Sequence, residues 1–96
     1  MSVYVSIGNS DDKLTQEQWA GYTSRVFEIV RAYATAVHGQ WYSASDSRWQ
    51  NACICFDLGT TDEDEALLRR ALATCARHYA QDSVAWAQAE TEFIRP

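Results

Sequence analysis

The chain has 96 residues, of which 47% are hydrophobic and 22% charged, a composition typical of one folded domain. Eight basic and thirteen acidic residues give a net charge of −5, which disfavours binding to extended nucleic acid. No apolar run approaches the roughly 20 residues that span a bilayer, and the first residues lack the basic and apolar regions of a signal peptide. We therefore expect a cytoplasmic protein that does not engage a membrane.

The chain has three cysteines, Cys53, Cys55 and Cys75. An odd number argues against a disulfide scaffold, and the paired Cys-x-x-Cys spacing of many zinc sites is absent. Free cysteine is among the most buried residue types. We therefore expect buried thiols, and we predict neither a metal site nor a cofactor.

The first half of the chain reads as a strand followed by a helix. Residues 2–8 alternate between apolar and polar side chains, which predicts a strand with Val3, Val5 and Ile7 on one face. A helix is predicted over about residues 16–35, with Thr15 as N-cap and Gln18 completing a capping box. Its apolar stripe comprises Trp19, Tyr22, Val26, Ile29, Val30 and Tyr33.

The second half predicts a hairpin, a helix and a last strand. These elements span about residues 37–43, 49–58, 62–80 and 84–94, and the hairpin loop has about five residues. The second helix can be capped by Thr60 with Glu63, or by Thr61 with Asp64. The order β-α-β-β-α-β predicts an α+β, ferredoxin-like sandwich as a single domain, residues 1–96, with both helices on one face of a four-stranded antiparallel sheet.

Such a sandwich leaves one sheet face uncovered. We predict that this open face carries Tyr4, Ser6, Cys53, Cys55 and Asp57, together with members of either the His38, Gln40, Tyr42 set or the Val37, Trp41 set. The register of the second strand decides between the two sets. Because an uncovered apolar sheet face is a liability in solution, we expect a homo-oligomer that associates through it.

A polar loop joins the first strand to the first helix. It contains Asn9, Ser10, Asp11 and Lys13. Such residues are ordinary in turns and caps, but a strand-to-helix loop also holds small anions well. No phosphate-loop pattern is present, so the loop names no ligand.

Two further polar segments adjoin strand ends. Trp49, Gln50 and Asn51 open the third strand, where an aromatic ring beside two amides can stack on a base-like ring and read its edge; exposed amides at a strand start are an equally good interpretation. Residues 81–83 (Gln-Asp-Ser) follow the second helix, which ends without Gly or Pro. Such a polar trio needs hydrogen-bond partners if it is buried.

The fold predicts that these segments meet, because the first and last strands are neighbours with opposite directions. The predicted ligand site comprises Asn9, Ser10, Asp11, Lys13, His38, Trp49, Gln50, Asn51, Gln81, Asp82 and Ser83. Lys13 would contact an anion, Ser10 and the amides would give specificity, and Trp49 would stack. Trp49, Gln50 and Asn51 join this site across the sheet or from a second subunit.

A catalytic interpretation is also open. His38 can act as an acid or base, and with Asp11 or Asp82 it would support a small hydrolase or isomerase. No nucleophile-elbow motif of the Gly-x-Ser-x-Gly kind is present.

Several segments resemble a group of small proteins from actinobacteria and their phages. They are residues 7–14 (IGNSDDKL), 37–41 (VHGQW), 49–53 (WQNAC), 81–86 (QDSVAW) and 91–93 (TEF). The resemblance implies a phage setting, in which small proteins often oppose host defence and some sequester nucleotide-derived signals. The resulting hypothesis is a non-catalytic module for a small polar or nucleotide-like ligand. The alternative is a protein-interaction module that inhibits a host enzyme, its acidic surface meeting a basic patch.

Overall fold

The computed structural model describes residues 2–59 and 61–96. In chain order the elements are β1 (Ser2–Gly8), α1 (Gln16–Tyr33), β2 (Ala34–Tyr42), β3 (Asn51–Leu58), α2 (Asp62–His78) and β4 (Ala85–Ala89). The strands form one antiparallel sheet in the order β2-β3-β1-β4. The predicted ferredoxin-like sandwich is confirmed. None of the helices in the described ranges combines the length and apolar character that crossing a bilayer requires.

The core lies between the helices and one sheet face, where the predicted alternation places the apolar side chains. Val5 pairs with Ile54 of β3 on one side and Trp86 of β4 on the other. The helices supply the other half of the core through Tyr22, Val26, Phe27, Val30, Leu68 and Leu72. Full burial of each large aliphatic side chain contributes roughly 1.5–3 kcal/mol, so this layer is the main source of stability.

The helix starts follow the predicted capping. The Thr15 N–H donates to Gln18 Oε1 at 2.8 Å, and the Gln18 N–H donates to Thr15 Oγ1 at 3.1 Å, which completes the capping box. At α2, Thr61 Oγ1 accepts from the Asp64 N–H at 3.4 Å. The alternative cap, Thr60, lies outside the described residues.

Strand ends differ most from the sequence prediction. β4 ends at Ala89 instead of about residue 94, because Ala89 already pairs with Ser2 at the start of β1 and no described residue continues the ladder. The β2–β3 loop spans residues 43–50, which is longer than the predicted five, and is closed by a hydrogen bond from Ser43 N–H to Asn51 O.

A β-bulge in β2 places parts of both predicted sets on the open face. The register with β3 shifts between Val37 and Gly39. Trp41 then pairs with Cys53 on the open face, and His38 reaches Asp57 there. Gln40 instead bonds Arg31 on the helix side. Neither set occupies the face as a whole, because one extra residue in a strand changes its alternation.

The open face is not uniformly exposed. Tyr4, Cys53, Cys55 and Asp57 lie on it as predicted, but Cys55 is buried. Tyr4 pairs with Cys55 across the β1–β3 ladder, and the neighbouring Cys55 thiol raises the pKa of the Tyr4 hydroxyl. Cys75 is also buried, whereas Cys53 is half-buried, and all three thiols are free. Burial was therefore predicted correctly for two of the three.

Replacing Tyr22 by phenylalanine should stabilise the protein. The Tyr22 hydroxyl is buried and has no hydrogen-bond partner among the described residues, and burial, followed by the nearby Cys75, raises the pKa of Tyr22 to about 12. Removing an unsatisfied buried hydroxyl should raise the free energy of unfolding by about 1 kcal/mol. Urea unfolding measures the change, and Tyr33→Phe on the same helix is the control expected to have little effect. A marked loss of stability in Tyr22→Phe would contradict the prediction.

Candidate functional site

Three segments that are distant in sequence meet at one end of the sheet, in a cluster that we call the amide clasp: Asn9, Gln50 and Gln81. Asn9 Nδ2 donates to Gln50 Oε1 at 2.9 Å, and the Asn9 N–H donates to Gln50 O at 3.2 Å. Gln81 Oε1 accepts from the Ser10 N–H at 2.8 Å. The segments near residues 10, 50 and 81 therefore converge. The antiparallel arrangement of β1 and β4 predicts the meeting of residues 10 and 81, and the segment near residue 50 joins them across the sheet, through the pairing of β1 with β3.

The amide clasp satisfies its own polar groups. Asn9 is only 6% exposed and Gln81 only 7%. Asn9 Oδ1 also accepts from the Leu14 N–H at 2.9 Å, and Asn9 Nδ2 donates to Leu14 O at 3.1 Å. Buried amides that are bonded in this way hold chain segments together. Asn9 and Gln50 were predicted to contact a ligand. In the structure, their side chains instead bond to other parts of the chain.

The helix stop before Gln81 is a Schellman motif that uses alanine. Ala80 has a φ of 57°, in the left-handed region. The Gln81 N–H donates to Ala76 O at 2.9 Å, and the Ala80 N–H donates to Arg77 O at 3.0 Å, which is the bonding pattern of this motif. Glycine usually occupies the left-handed position of this motif. Because alanine occupies it here, the sequence contains no Gly or Pro that marks the end of the helix.

Ala80→Gly should raise the free energy of unfolding by about 1 kcal/mol, because glycine adopts the left-handed conformation without the cost that a Cβ brings. Thermal or urea unfolding measures the change. Ala73→Gly, at an exposed position inside α2, is the matched control and should lower stability by about 1 kcal/mol. Equal losses in both variants would show that Ala80 is not strained.

A cavity of about 370 Å³ adjoins the amide clasp, and we call it the α2 cavity. Arg69, Ala73 and Arg77 are each four residues apart and line one side of it. The other sides are formed by Trp86 of β4 and the connection that contains Asp82 and Ser83. The cavity therefore lies between the second half of α2 and the polar trio that the sequence singled out.

Positive charge and an aromatic ring characterise the α2 cavity. The Arg69 guanidinium lies 4.3 Å from the centre of the Trp86 ring, and its Nε is 3.6 Å from Glu65 Oε2. Arg77 forms no ion pair with any described residue. The Trp86 indole N–H is buried without a partner in the described part of the chain. The cavity thus offers the Arg77 guanidinium, which no described residue pairs with, beside the Trp86 ring.

The predicted site residues divide between several places. Asn9, Ser10, Gln50 and Gln81 form the amide clasp or bond to it. Lys13 Nζ donates to Ala80 O at 3.3 Å and is 3.9 Å from the exposed Asp11.

Trp49 does not line the α2 cavity. It is 57% exposed, and the Arg48 guanidinium lies 5.0 Å from its ring centre. Asn51, the first residue of β3, donates from its side-chain Nδ2 to Trp49 O at 3.2 Å. Sequence reasoning missed Arg69, Arg77 and Trp86. The sequence feature that could have revealed them is a pair of arginines on one face of a helix, followed by the polar residues 81–83 and then by Trp86 in the next strand.

His38 lies apart from the other predicted residues. Its Nε2 is 3.0 Å from Asp57 Oδ1, on the open face at the opposite side of the sheet from β4. The proposed pairing of His38 with Asp11 or Asp82 does not form, because the bulge in β2 directs the imidazole to Asp57. Ser2 Oγ also donates to Asp57 Oδ1, at 3.2 Å.

Asp57 should make stability depend on pH in acid. The hydrogen bond from His38, followed by that from Ser2, holds the Asp57 pKa below its ordinary 3.8. A lowered folded-state pKa means that the stabilisation is present above 3.8 and is lost as the pH falls through the folded-state value. Asp57→Asn should therefore lose less stability than the parent between about pH 5 and about pH 2. Urea unfolding across this range tests it, and parallel curves would contradict it.

No group of three His, Cys, Asp or Glu side chains within residues 2–59 and 61–96 is arranged to hold a metal ion. The chain matches no model of a known protein family, and no curated protein is significantly similar to it. The resemblance to actinobacterial and phage proteins remains a prediction. The functional interpretation therefore depends on the geometry of the α2 cavity.

Proposed function

We propose that this chain is a non-catalytic binding module for a small anionic ligand with a planar ring, and that nucleotide-derived compounds are the best-fitting class. One observation carries the proposal: the α2 cavity combines two arginines with an indole wall. Its volume of about 370 Å³ falls within the roughly 300–1,000 Å³ of small-molecule sites. The cavity is lined by two arginines and one aspartate, and Arg69 is already paired with Glu65, so Arg77 carries the positive charge that is available to an anion.

Each lining group has a role in this proposal. Arg77 is exposed and has no ion pair in the described part of the chain, and a guanidinium bonds phosphate in a bidentate manner. The Arg69–Trp86 stack provides a flat surface against which a ring can pack. Asp82 and Ser83 supply an acceptor and a hydroxyl for ribose or ring edges. The Asp82 carboxylate also repels any ligand that places a negative charge beside it.

The lining favours binding over turnover. No histidine or cysteine is among the described residues that line it, and the His38–Asp57 pair is on the open face. Together with the resemblance to phage proteins, this supports a sponge: the protein would sequester a nucleotide-derived signal in the host cytoplasm. Such a role needs tight binding and no chemistry.

We further propose that copies associate through the open face. Trp41 is 52% exposed and Tyr4 40% exposed, and the Trp41 ring lies over Gly39. An exposed aromatic beside small residues is the kind of surface that a second copy covers. Sedimentation equilibrium should show that Trp41→Glu lowers the apparent mass. An unchanged mass would argue against this interface.

A thermal-shift panel tests the ligand proposal. It compares mononucleotides, cyclic nucleotides and cyclic dinucleotides with inorganic phosphate alone. A ligand at a hundredfold excess over its Kd stabilises the native state by about 2.7 kcal/mol, which should raise Tm by several degrees. The compound should be recovered unchanged after long incubation. No stabilisation by any nucleotide at millimolar concentration would overturn the proposal, and conversion of the compound would overturn its non-catalytic part.

A further inference from the structure

An apolar groove of about 570 Å³ runs between the exposed sides of α1 and α2. It uses a different face of α2 from the α2 cavity, and we call it the interhelix groove. Its apolar lining comprises Ile29, Leu67, Ala71, Cys75 and Tyr79. Arg25, Arg70 and His78 also line it, and we call them its rim; Arg25 is paired with Glu28 at 3.1 Å. Leu67 is 38% exposed, so part of this apolar lining faces solvent.

The segment formed by residues 90–96 also exposes apolar side chains to solvent. It has no regular structure and every residue in it is exposed. Phe93 is 85% exposed and Ile94 is 97% exposed. Two adjacent large apolar side chains held in water are unfavourable, and the acids Glu90 and Glu92 precede them.

We propose that segment 90–96 of one copy binds in the interhelix groove of a second copy. Phe93 and Ile94 pack on the apolar floor, and the carboxylates of Glu90 and Glu92 face the cationic rim of that groove. An exposed apolar pair preceded by acids complements an apolar groove bordered by arginines. The open face is a poorer fit, because it carries the carboxylate of Asp57.

Chain geometry favours a second copy over the same molecule. The segment leaves the sheet after Ala89, beside the first turn of α2, where Gln88 Nε2 donates to Glu65 at 3.2 Å. Phe93 is four residues further on, a reach of at most about 14 Å. Measured from Glu65, the middle of the molecule's own groove lies about 10 Å further along α2. It also lies on another side of this helix, which is about 10 Å across. A fully extended segment therefore only just spans the distance to the middle of its own groove, and we assign the groove of a second copy as its binding site.

Photo-crosslinking in an isotope-mixed sample tests this arrangement. Phe93 is replaced by p-benzoylphenylalanine, and equal amounts of 14N- and 15N-labelled protein are mixed, irradiated and digested. We expect crosslinked peptides that join position 93 to residues 67–79, with half of the pairs carrying mixed labels. Pairs that are all of one label would mean that the segment folds onto its own chain. Crosslinks to the open face, or none, would also overturn the proposal.

Sedimentation measures the energetic contribution. Phe93→Ser with Ile94→Ser should weaken self-association at least about tenfold, since truncation of anchors at interface centres has effects of this size. Both residues are exposed, so the variant should fold normally. Arg95→Ser, in the same segment, is the control expected to have little effect. Trp41→Glu probes the open face separately, and equal association constants for the double variant and the parent would contradict the proposal.

Discussion

Replacing Asn9 by alanine should lower the free energy of unfolding by about 2–3 kcal/mol, which is among the largest losses expected for a polar residue in this chain. The Asn9 side chain bonds both the N–H and the carbonyl of Leu14 as well as Gln50 Oε1. Its removal leaves buried backbone groups without partners, and each such group costs roughly 1 kcal/mol or more. The loop between β1 and α1 would lose its attachment to Gln50 at the start of β3.

Urea unfolding of matched asparagine variants measures this effect. Asn51→Ala is the control, because the Asn51 side chain is exposed and, among the described residues, bonds only to Trp49 O. We expect the control to stay within about 0.5 kcal/mol of the parent. If Asn9→Ala were as stable as Asn51→Ala, the amide clasp would not be holding the three segments together.

Arg77→Gln should weaken binding of the best nucleotide from the panel about 10- to 100-fold. Arg77 lines the α2 cavity and has no ion pair among the described residues, so its charge is available to a ligand. A charge-assisted hydrogen bond contributes about 1.5–3 kcal/mol, and each 1.4 kcal/mol corresponds to about a factor of ten in Kd. Calorimetric titration provides the Kd.

The neighbouring helix face provides a matched control for this prediction. Arg70 lies on α2 but lines the interhelix groove, so Arg70→Gln removes the same charge from the same helix without touching the α2 cavity. We expect its Kd to change less than about threefold, through long-range electrostatics alone. Equal weakening by both substitutions would indicate general charge attraction without a built site.

The order of helices and strands in this fold can be predicted from the sequence, because residue alternation and capping residues indicate the same elements. The alternation of Val3, Val5 and Ile7 predicts β1, and the pairing of Thr15 with Gln18 predicts the start of α1. The meeting of the segments near residues 10 and 81 followed from strand direction, whereas the sequence left open whether the segment near residue 50 joins them from the same chain or from a second subunit. Such features depend on spacing within a few residues, or on a topology that has few alternatives.

The remaining features depend on tertiary geometry that spacing does not specify. The bulge at Val37–Gly39 in β2 changes the face of the sheet on which the His38 side chain lies. Ala80 takes a conformation that its side chain does not favour. β4 stops at Ala89 because its partner β1 begins at Ser2, although the apolar pattern continues to Ile94. The α2 cavity was missed because Arg69 and Arg77 become neighbours of Trp86 only when β4 packs beside α2.

The tryptophan indole resonances in a 1H–15N correlation spectrum, recorded during titration with the best nucleotide, test the central claim most directly. The chain has four tryptophans at well-separated places: Trp19 is buried in the core, Trp41 is on the open face, Trp49 is in the β2–β3 loop and Trp86 is in the α2 cavity. We predict a large, saturable shift of the Trp86 indole N–H, with the Trp41 and Trp49 signals nearly unchanged. A saturable shift of Trp49 with Trp86 unmoved would contradict the account and would place the ligand in the β2–β3 loop.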